Sequence, residues 1–171
     1  TKITARDIAY AKEFDSVIKL LGVAKNTEDG IEVGVYPMMI SRDHPLASVR
    51  DAFNAVFIHG DAVDDAMFYG RGAGEMPTAS AVVGDVIDVA RDLKHGCTGR
   101  ISCTCYKELP VKAWGEVKNA FFIRMQVKNQ PGVLAAITRV FGEHKVSIAR
   151  VVQEHTQPET AELVIVTEKV K

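Results

Sequence analysis

Two short segments of this chain carry residue types and spacings suited to holding a small anionic ligand. Gly70-Arg71-Gly72-Ala73-Gly74 joins an apolar run to a helix-like segment, where small residues leave backbone N–H groups facing an anion. Its spacing is G-x-G-x-G, not the G-x-G-x-x-G of a dinucleotide-binding βαβ unit, and the strand before it reads as half of an antiparallel hairpin. Taken alone, the loop is a weak signal. The second segment is Asn129-Gln130-Pro131-Gly132-Val133-Leu134, at a strand-to-helix junction. Backbone N–H groups at a helix start have no partner one turn back and can donate to a ligand carboxylate, and Gly132 permits close approach. Pro131-Gly132 by itself would equally well just start a helix sharply.

Other constellations carry less. Cys97, Cys103 and Cys105, with His44 or His95 as a fourth ligand, have the donor types of a tetrahedral zinc site but not a paired C-x-x-C spacing, so no metal is expected. Asp61, Asp64 and Asp65 crowd one turn without the glycine and terminal glutamate of a calcium loop, and read as a solvated turn. His44 is an acid or base by type; preceding Pro45, it reads as a cap or a packing residue.

These segments need elements to position them. Thr4 and Asp7 form a capping-box pattern, and Ile8, Ala11 and Phe14 follow at helical spacing, predicting a short helix that ends near Phe14. Ser16 to Ala24, a turn at Asn26 to Gly30, and the alternating Ile31, Val33 and Val35 predict a hairpin. After a short helical turn around Pro45 to Arg50, Ala55 to Ile58 and Ala66 to Tyr69 predict a second hairpin. A helix entered at Pro77-Thr78 carries the stripe Val82, Val83, Val86, Ile87, Ala90 and Leu93. Periodicity is lost from His95 to Gly115, which reads as a connector with a domain boundary near Trp114.

Beyond it, Phe121, Ile123, Met125 and Val127 alternate with Arg124, Gln126 and Lys128, as in a strand with one buried face. Pro131 then suits the first turn of a helix whose apolar face is Val133, Leu134, Ile137, Val140 and Phe141. Val146 to Gln153 and Ala161 to Thr167 are two further strands, so this part reads βαββ.

At 171 residues, 47% apolar and 25% charged, the chain has room for one large core or two small ones. A formal charge of -1 with interspersed charges leaves little for a phosphate backbone to attract, so nucleic acid is not an expected partner. No apolar run approaches a bilayer span, and three cysteines in a chain of this size fit a reducing compartment, so a cytoplasmic protein with free thiols and no membrane partner is expected. The first residue is Thr1 rather than methionine and enters at once a capped helix, which reads as a start inside a longer polypeptide.

The order βαββ around Asn129-Gln130-Pro131-Gly132-Val133-Leu134 resembles the opening of an ACT domain, a ferredoxin-like βαββαβ module that binds small ligands, often amino acids. The segments Met67-Phe68-Tyr69-Gly70, Gly72-Ala73-Gly74 and Pro77-Thr78-Ala79-Ser80-Ala81-Val82-Val83-Gly84-Asp85 resemble the end of the homoserine dehydrogenase catalytic region. Asp7-Ile8-Ala9-Tyr10-Ala11, Ile18-Lys19-Leu20-Leu21, His44-Pro45-Leu46-Ala47 and Asn54-Ala55-Val56-Phe57 match that family in the same order.

The resemblance implies an α+β fold: an antiparallel or mixed sheet with helices on one face over 1–113, then a partial βαββ ACT domain over 114–171, ending before its second helix and fourth strand. It implies that Gly72, Ala73 and Gly74 lie against NAD(P), and that Asn129, Gln130, Pro131, Gly132, Val133 and Leu134 bind an amino-acid effector, with threonine expected. Glu75 departs from the small residue usual there, and an anion facing a phosphate-bearing cofactor would be repelled unless it pointed away. The family's nucleotide-binding fold and its proton-handling lysine and acidic residues lie upstream of Thr1. The resemblance therefore implies no catalytic residue here, no cofactor held by this chain by itself, and no turnover. The full enzyme would interconvert L-aspartate 4-semialdehyde and L-homoserine in threonine and methionine biosynthesis. Strands from Ile31 to Tyr69 with too few helices to cover them imply at least a dimer. The rival reading is a free-standing amino-acid-binding or dimerisation module without linked chemistry.

Overall fold

The computed structural model describes residues 3–97 and 107–170. The first helix, α1 (Ala5–Glu13), starts where the capping pattern places it. Asp7 N–H donates to Thr4 Oγ1 at 3.4 Å and Thr4 N–H donates to the Asp7 carboxylate at 2.7 Å, so two otherwise unpaired donors are satisfied reciprocally. Phe14 closes the helix, and Asp7, Tyr10 and Ala11 are its buried face, whereas Ile8, expected at helical spacing on that face, is exposed.

Strands β1 (Ser16–Thr27) and β2 (Gly30–Ser41) form the first expected hairpin, and β3 (Phe53–Gly60) with β4 (Asp64–Arg71) the second. Each pair is a separate two-stranded sheet. In the second, Phe53 pairs with Arg71 and Gly60 with Asp64 in unbroken antiparallel register. Phe53 and Tyr69 stack with ring centroids 4.9 Å apart, and the Arg71 guanidinium sits 4.9 Å over the Phe53 ring. A 3-10 turn at Pro45–Ser48 is capped by His44, whose Nδ1 accepts the Leu46 N–H at 3.1 Å.

Helix α2 (Glu75–His95) begins two residues before the Pro77-Thr78 start expected from the sequence, because Gly74 (φ 126°) is its N-cap and Pro77 falls inside the first turn, where a missing N–H costs nothing. Gly96 in the left-handed conformation ends it. No residue of α2 is buried: Val82, Val83, Val86, Ile87 and Leu93, expected to face a core, are all exposed. The pattern marks a surface to be covered, and no described residue of the chain covers it.

The chain packs as two compact units, Thr1–Gly22 with Val35–Glu108 and Val23–Gly34 with Leu109–Lys171. The second contains β5 (Phe122–Lys128), α3 (Val133–Glu143), β6 (Ile148–Gln157) and β7 (Thr160–Thr167), the expected βαββ order. The sheet order is β5-β7-β6, all neighbours antiparallel, so the last strand is central. Ala161, Leu163 and Ile165 on one face of β7 and Glu162 and Val164 on the other are each 0–1% exposed. Glu162 is met by Arg124 of β5, Nη1 to Oε1 at 2.8 Å. Arg124, which alternation assigned to the polar face of a strand buried on one side, therefore ties down a buried carboxylate.

The connector expected from His95 to Gly115 is not free over its described end. Ile31 N–H donates to Pro110 O at 2.8 Å, Lys112 N–H donates to Ile31 O at 2.9 Å, and Ile31 and Val111 form a parallel bridge. Lys112 Nζ lies 3.3 Å from Glu32 Oε1 and 3.8 Å from Asp29 Oδ2. Gly30 makes this clamp possible: its φ is +132°, and a β-carbon there would stand 2.5 Å from Pro110 O.

Two outcomes follow from these contacts. Gly30→Ala should cost about 2–3 kcal/mol, the sum of left-handed strain and a displaced backbone carbonyl, read as a fall in the urea midpoint. Arg124→Met should cost about 3 kcal/mol, because it removes a charge partner from buried Glu162, whereas Arg124→Met/Glu162→Met should cost less than that single change. Equal losses in the single and double variants would show that the pair is not coupled.

Candidate functional site

In the second unit the six residues Asn129 to Leu134 converge on one depression of about 340 Å3, closed by Val127 and Lys128 of β5, Gln153 of β6 and Leu163 of β7. The chain leaves β5 through a tight turn: Asn129 N–H donates to Glu159 O at 2.9 Å and Gln130 N–H donates to Lys128 O at 3.0 Å. Helix α3 starts at Val133, with Gly132 (φ 89°) as its N-cap, so Pro131 precedes the helix rather than occupying its first turn. The left-handed backbone at Gly132 makes the difference, since it breaks the helical path between the two residues. No side chain caps α3, and nothing lies within 4 Å of where a Gly132 β-carbon would stand.

Val133 N–H reaches back to Gln130 O at 3.4 Å, and Ala136 N–H makes the first regular helical bond, to Gly132 O at 2.9 Å. Between them, the N–H groups of the first turn of α3 have no helical carbonyl behind them, and Val133 and Leu134 of that turn line the depression. Its walls are apolar at Val127, Val133, Leu134 and Leu163, and polar at Asn129, Gln130 and Gln153. Such a site suits a small carboxylate carrying a short side chain, with donors at the helix start and amides beside them. Gln153 is not among the residues expected from the sequence. The signal was there: it pairs with Leu163 on the face of the sheet shared by Val151 and Ile165, where a polar residue interrupts an apolar row.

In the first unit, β4 ends at Arg71 and the Gly72-Ala73-Gly74 turn leads into α2. Gly72 N–H donates to Ala52 O at 3.1 Å, and Thr78 N–H donates to Gly74 O at 3.1 Å. All three turn residues are exposed. Gly74 has two reasons to lack a side chain, its φ of +126° and the Pro77 ring carbon 3.3 Å from where a β-carbon would stand. The antiparallel β3–β4 pairing excludes a βαβ nucleotide-binding unit here, as the glycine spacing indicated. Glu75 is the first residue of α2, where a carboxylate is favoured by the helix dipole, and this accounts for its tolerance beside the turn. An exposed turn of two glycines and one alanine, with α2 donors behind it, fits a close-lying polar cofactor.

The remaining candidates are placed as follows. Cys97 is exposed with a free thiol, and Cys103 and Cys105 lie outside the described residues. Among the described residues no three His, Cys, Asp or Glu side chains are grouped to hold a metal ion. His59 Nδ1 lies 2.7 Å from Asp65 Oδ1, tying off the aspartate-rich turn. The His44 ring packs 4.9 Å from that of Phe57. A second concavity of about 390 Å3, walled by Ile8, Ala11, Ile18 and Leu20 and floored near Ala47, was not anticipated. Lys19 borders it, its Nζ donating to Val49 O. No described helix is long and apolar enough to cross a membrane.

Comparison with known proteins bears on both units. The homoserine dehydrogenase family model matches residues 1–87, and the ACT domain model matches residues 121–171. The chain is 38% identical over 169 residues to a homoserine dehydrogenase of Bacillus subtilis, covering 98% of this chain and 39% of that protein. It is 40% identical over 159 residues to one of Mycobacterium tuberculosis, covering 90% and 36%. The crystal structure of a homoserine dehydrogenase from Thiobacillus denitrificans superposes with a TM-score of 0.87 at 36% identity, over 98% of this chain and 39% of that one. Homoserine dehydrogenase of S. aureus superposes with a TM-score of 0.62 at 28% identity, over 96% and 39%. The chain thus spans about two fifths of the length of the relatives it matches. From its glycine turn to its ACT module, this chain belongs to the homoserine dehydrogenase family.

Proposed function

We propose that this chain is the cofactor-turn and regulatory portion of an NAD(P)-dependent homoserine dehydrogenase that interconverts L-aspartate 4-semialdehyde and L-homoserine in cytoplasmic threonine and methionine biosynthesis. Residues 1–113 belong to the catalytic and dimerisation region, and residues 114–171 to the ACT domain. A nicotinamide cofactor, when bound, would supply or accept the hydride; Gly72, Ala73 and Gly74 would give it a surface with no side chain larger than a methyl group, and no residue of this chain is assigned to proton transfer. By the same reading the chain has no turnover by itself.

The observation that carries the regulatory half is the depression at the start of α3, where all of Asn129 to Leu134 meet the open donors of the first helical turn. We assign it an amino-acid effector, with threonine as the end product whose binding would report pathway supply. The carboxylate sits on the α3 donors, Asn129 and Gln130 flank it, and Val133 and Leu134 take the side chain. A free-standing amino-acid-binding or dimerisation module would account for this site and for uncovered apolar faces; the match of residues 1–87 to the homoserine dehydrogenase family model supports the enzyme reading instead.

Threonine should inhibit the full-length enzyme and raise its melting temperature with dose, since a ligand selective for the folded state stabilises it by mass action. Gly132→Val should abolish both effects while sparing uninhibited turnover, because a β-branched residue at a φ of +89° forces the helix start to shift. Inhibition that survives the change would move the effector site elsewhere.

The same reading makes the protein at least a dimer. Val33, Val35, Val56, Phe68 and Tyr69 expose both hairpins' apolar side chains at 52–72%, more apolar surface than a monomer usually leaves to solvent. Sedimentation at micromolar concentration should show a dimer or larger, and Val35→Lys/Phe68→Lys should shift it towards monomer. A monomeric parent protein would refute this.

A further inference from the structure

We propose that Asn54 is a positioning residue for the cofactor-facing turn, acting through Gly72. The inference rests on the reading above that Gly72, Ala73 and Gly74 lie against the nicotinamide cofactor. Gly72 does not owe its identity to its backbone: it is absent from the positive-φ conformations adopted by Gly30, Gly74, Gly96 and Gly132. Asn54 accounts for it instead. A β-carbon built on Gly72 would overlap Asn54 Nδ2 and stand 2.7 Å from Cγ and 3.2 Å from Cβ, so its three nearest neighbours all belong to that one side chain.

The register explains the approach. Asn54 pairs directly with Gly70, which has no side chain to hold it upright, and Gly72 is its diagonal neighbour two residues further on. The carboxamide therefore leans along the hairpin and occupies the space where a Gly72 side chain would stand. Gly72 N–H is also tied to Ala52 O at 3.1 Å. Together the hydrogen bond and the carboxamide fix the direction in which the chain leaves the sheet, and hence where Ala73, Gly74 and the first donors of α2 stand. Glycine at 72 and asparagine at 54 are two halves of one fit.

The test is a two-residue cycle in the full-length protein, with the dissociation constant of the reduced cofactor read from its own fluorescence and the melting temperature measured beside it. Asn54→Ala frees the turn and Gly72→Ala pushes it away, and each should weaken cofactor binding on the order of tenfold, as small misplacements of a positioning element do. The double variant Asn54→Ala/Gly72→Ala should recover most of that loss, because the methyl group introduced at position 72 fills the volume the carboxamide vacates. Should Gly72→Ala fail to fold, Asn54→Ala and the double variant still decide. Cofactor affinity unchanged in Asn54→Ala, or no recovery in the double variant, overturns the positioning role. A Gly72→Ala protein that melts lower yet binds cofactor as tightly as its parent shows instead that the turn does not face the cofactor, and the underlying reading fails.

Discussion

The burial of β7 on both faces is the constraint on which the second unit depends. Glu162, Leu163, Val164 and Ile165 are consecutive and are the largest fully buried side chains described. Consecutive burial is possible only for a strand with something packed on each side, and pairing with β5 on one edge and β6 on the other satisfies its backbone at the same time. A carboxylate in that row is compensated by Arg124, which reaches it from the neighbouring strand. The ligand-sized depression is a by-product of the same arrangement: Leu163 floors it, and β5 delivers Asn129 to its rim.

The first unit is organised differently. Its helices and the β3–β4 hairpin form good local structure, with a capping box, a regular ladder and a glycine C-cap, yet they bury few side chains. Local hydrogen bonding defines the elements, while the apolar stripe of α2 and the outer residues of the hairpins remain exposed. Apolar surface of that extent marks a face suited to being covered, and the chain spans about two fifths of the length of the relatives it matches.

Much of this was legible in the sequence because it is local. The Thr4-Asp7 box, both hairpins, the βαββ order and the turn at Asn129 to Gly132 are each specified by residues a few positions apart. What escapes sequence reasoning is non-local. The Ile31–Val111 bridge joins residues 80 apart, and no periodicity announces a parallel contact made by one residue on each side. Arg124 reads as a solvent-facing residue because alternation along β5 cannot report that Glu162 would be buried opposite it. The starts of α2 and α3 each differ by about two residues from expectation, since proline is the conspicuous marker in the sequence whereas glycine at positive φ is what ends the loop.

The glycines show most clearly how one residue type answers different physical demands. Gly132 is required by its backbone alone, with open space where a side chain would stand; Gly72 by its neighbour alone; Gly30 and Gly74 by both. A backbone demand is intrinsic to the position, and no change elsewhere in the chain relieves it without moving the main chain. A demand made by a neighbour is a property of a pair and can be met by altering either member. Gly72 is therefore the glycine of the Gly72–Gly74 turn that can vary in concert with another residue, while Gly74 fixes the entry to α2 whatever surrounds it. The turn is thereby split into an adjustable half, set by the hairpin, and an invariant half, set by the helix.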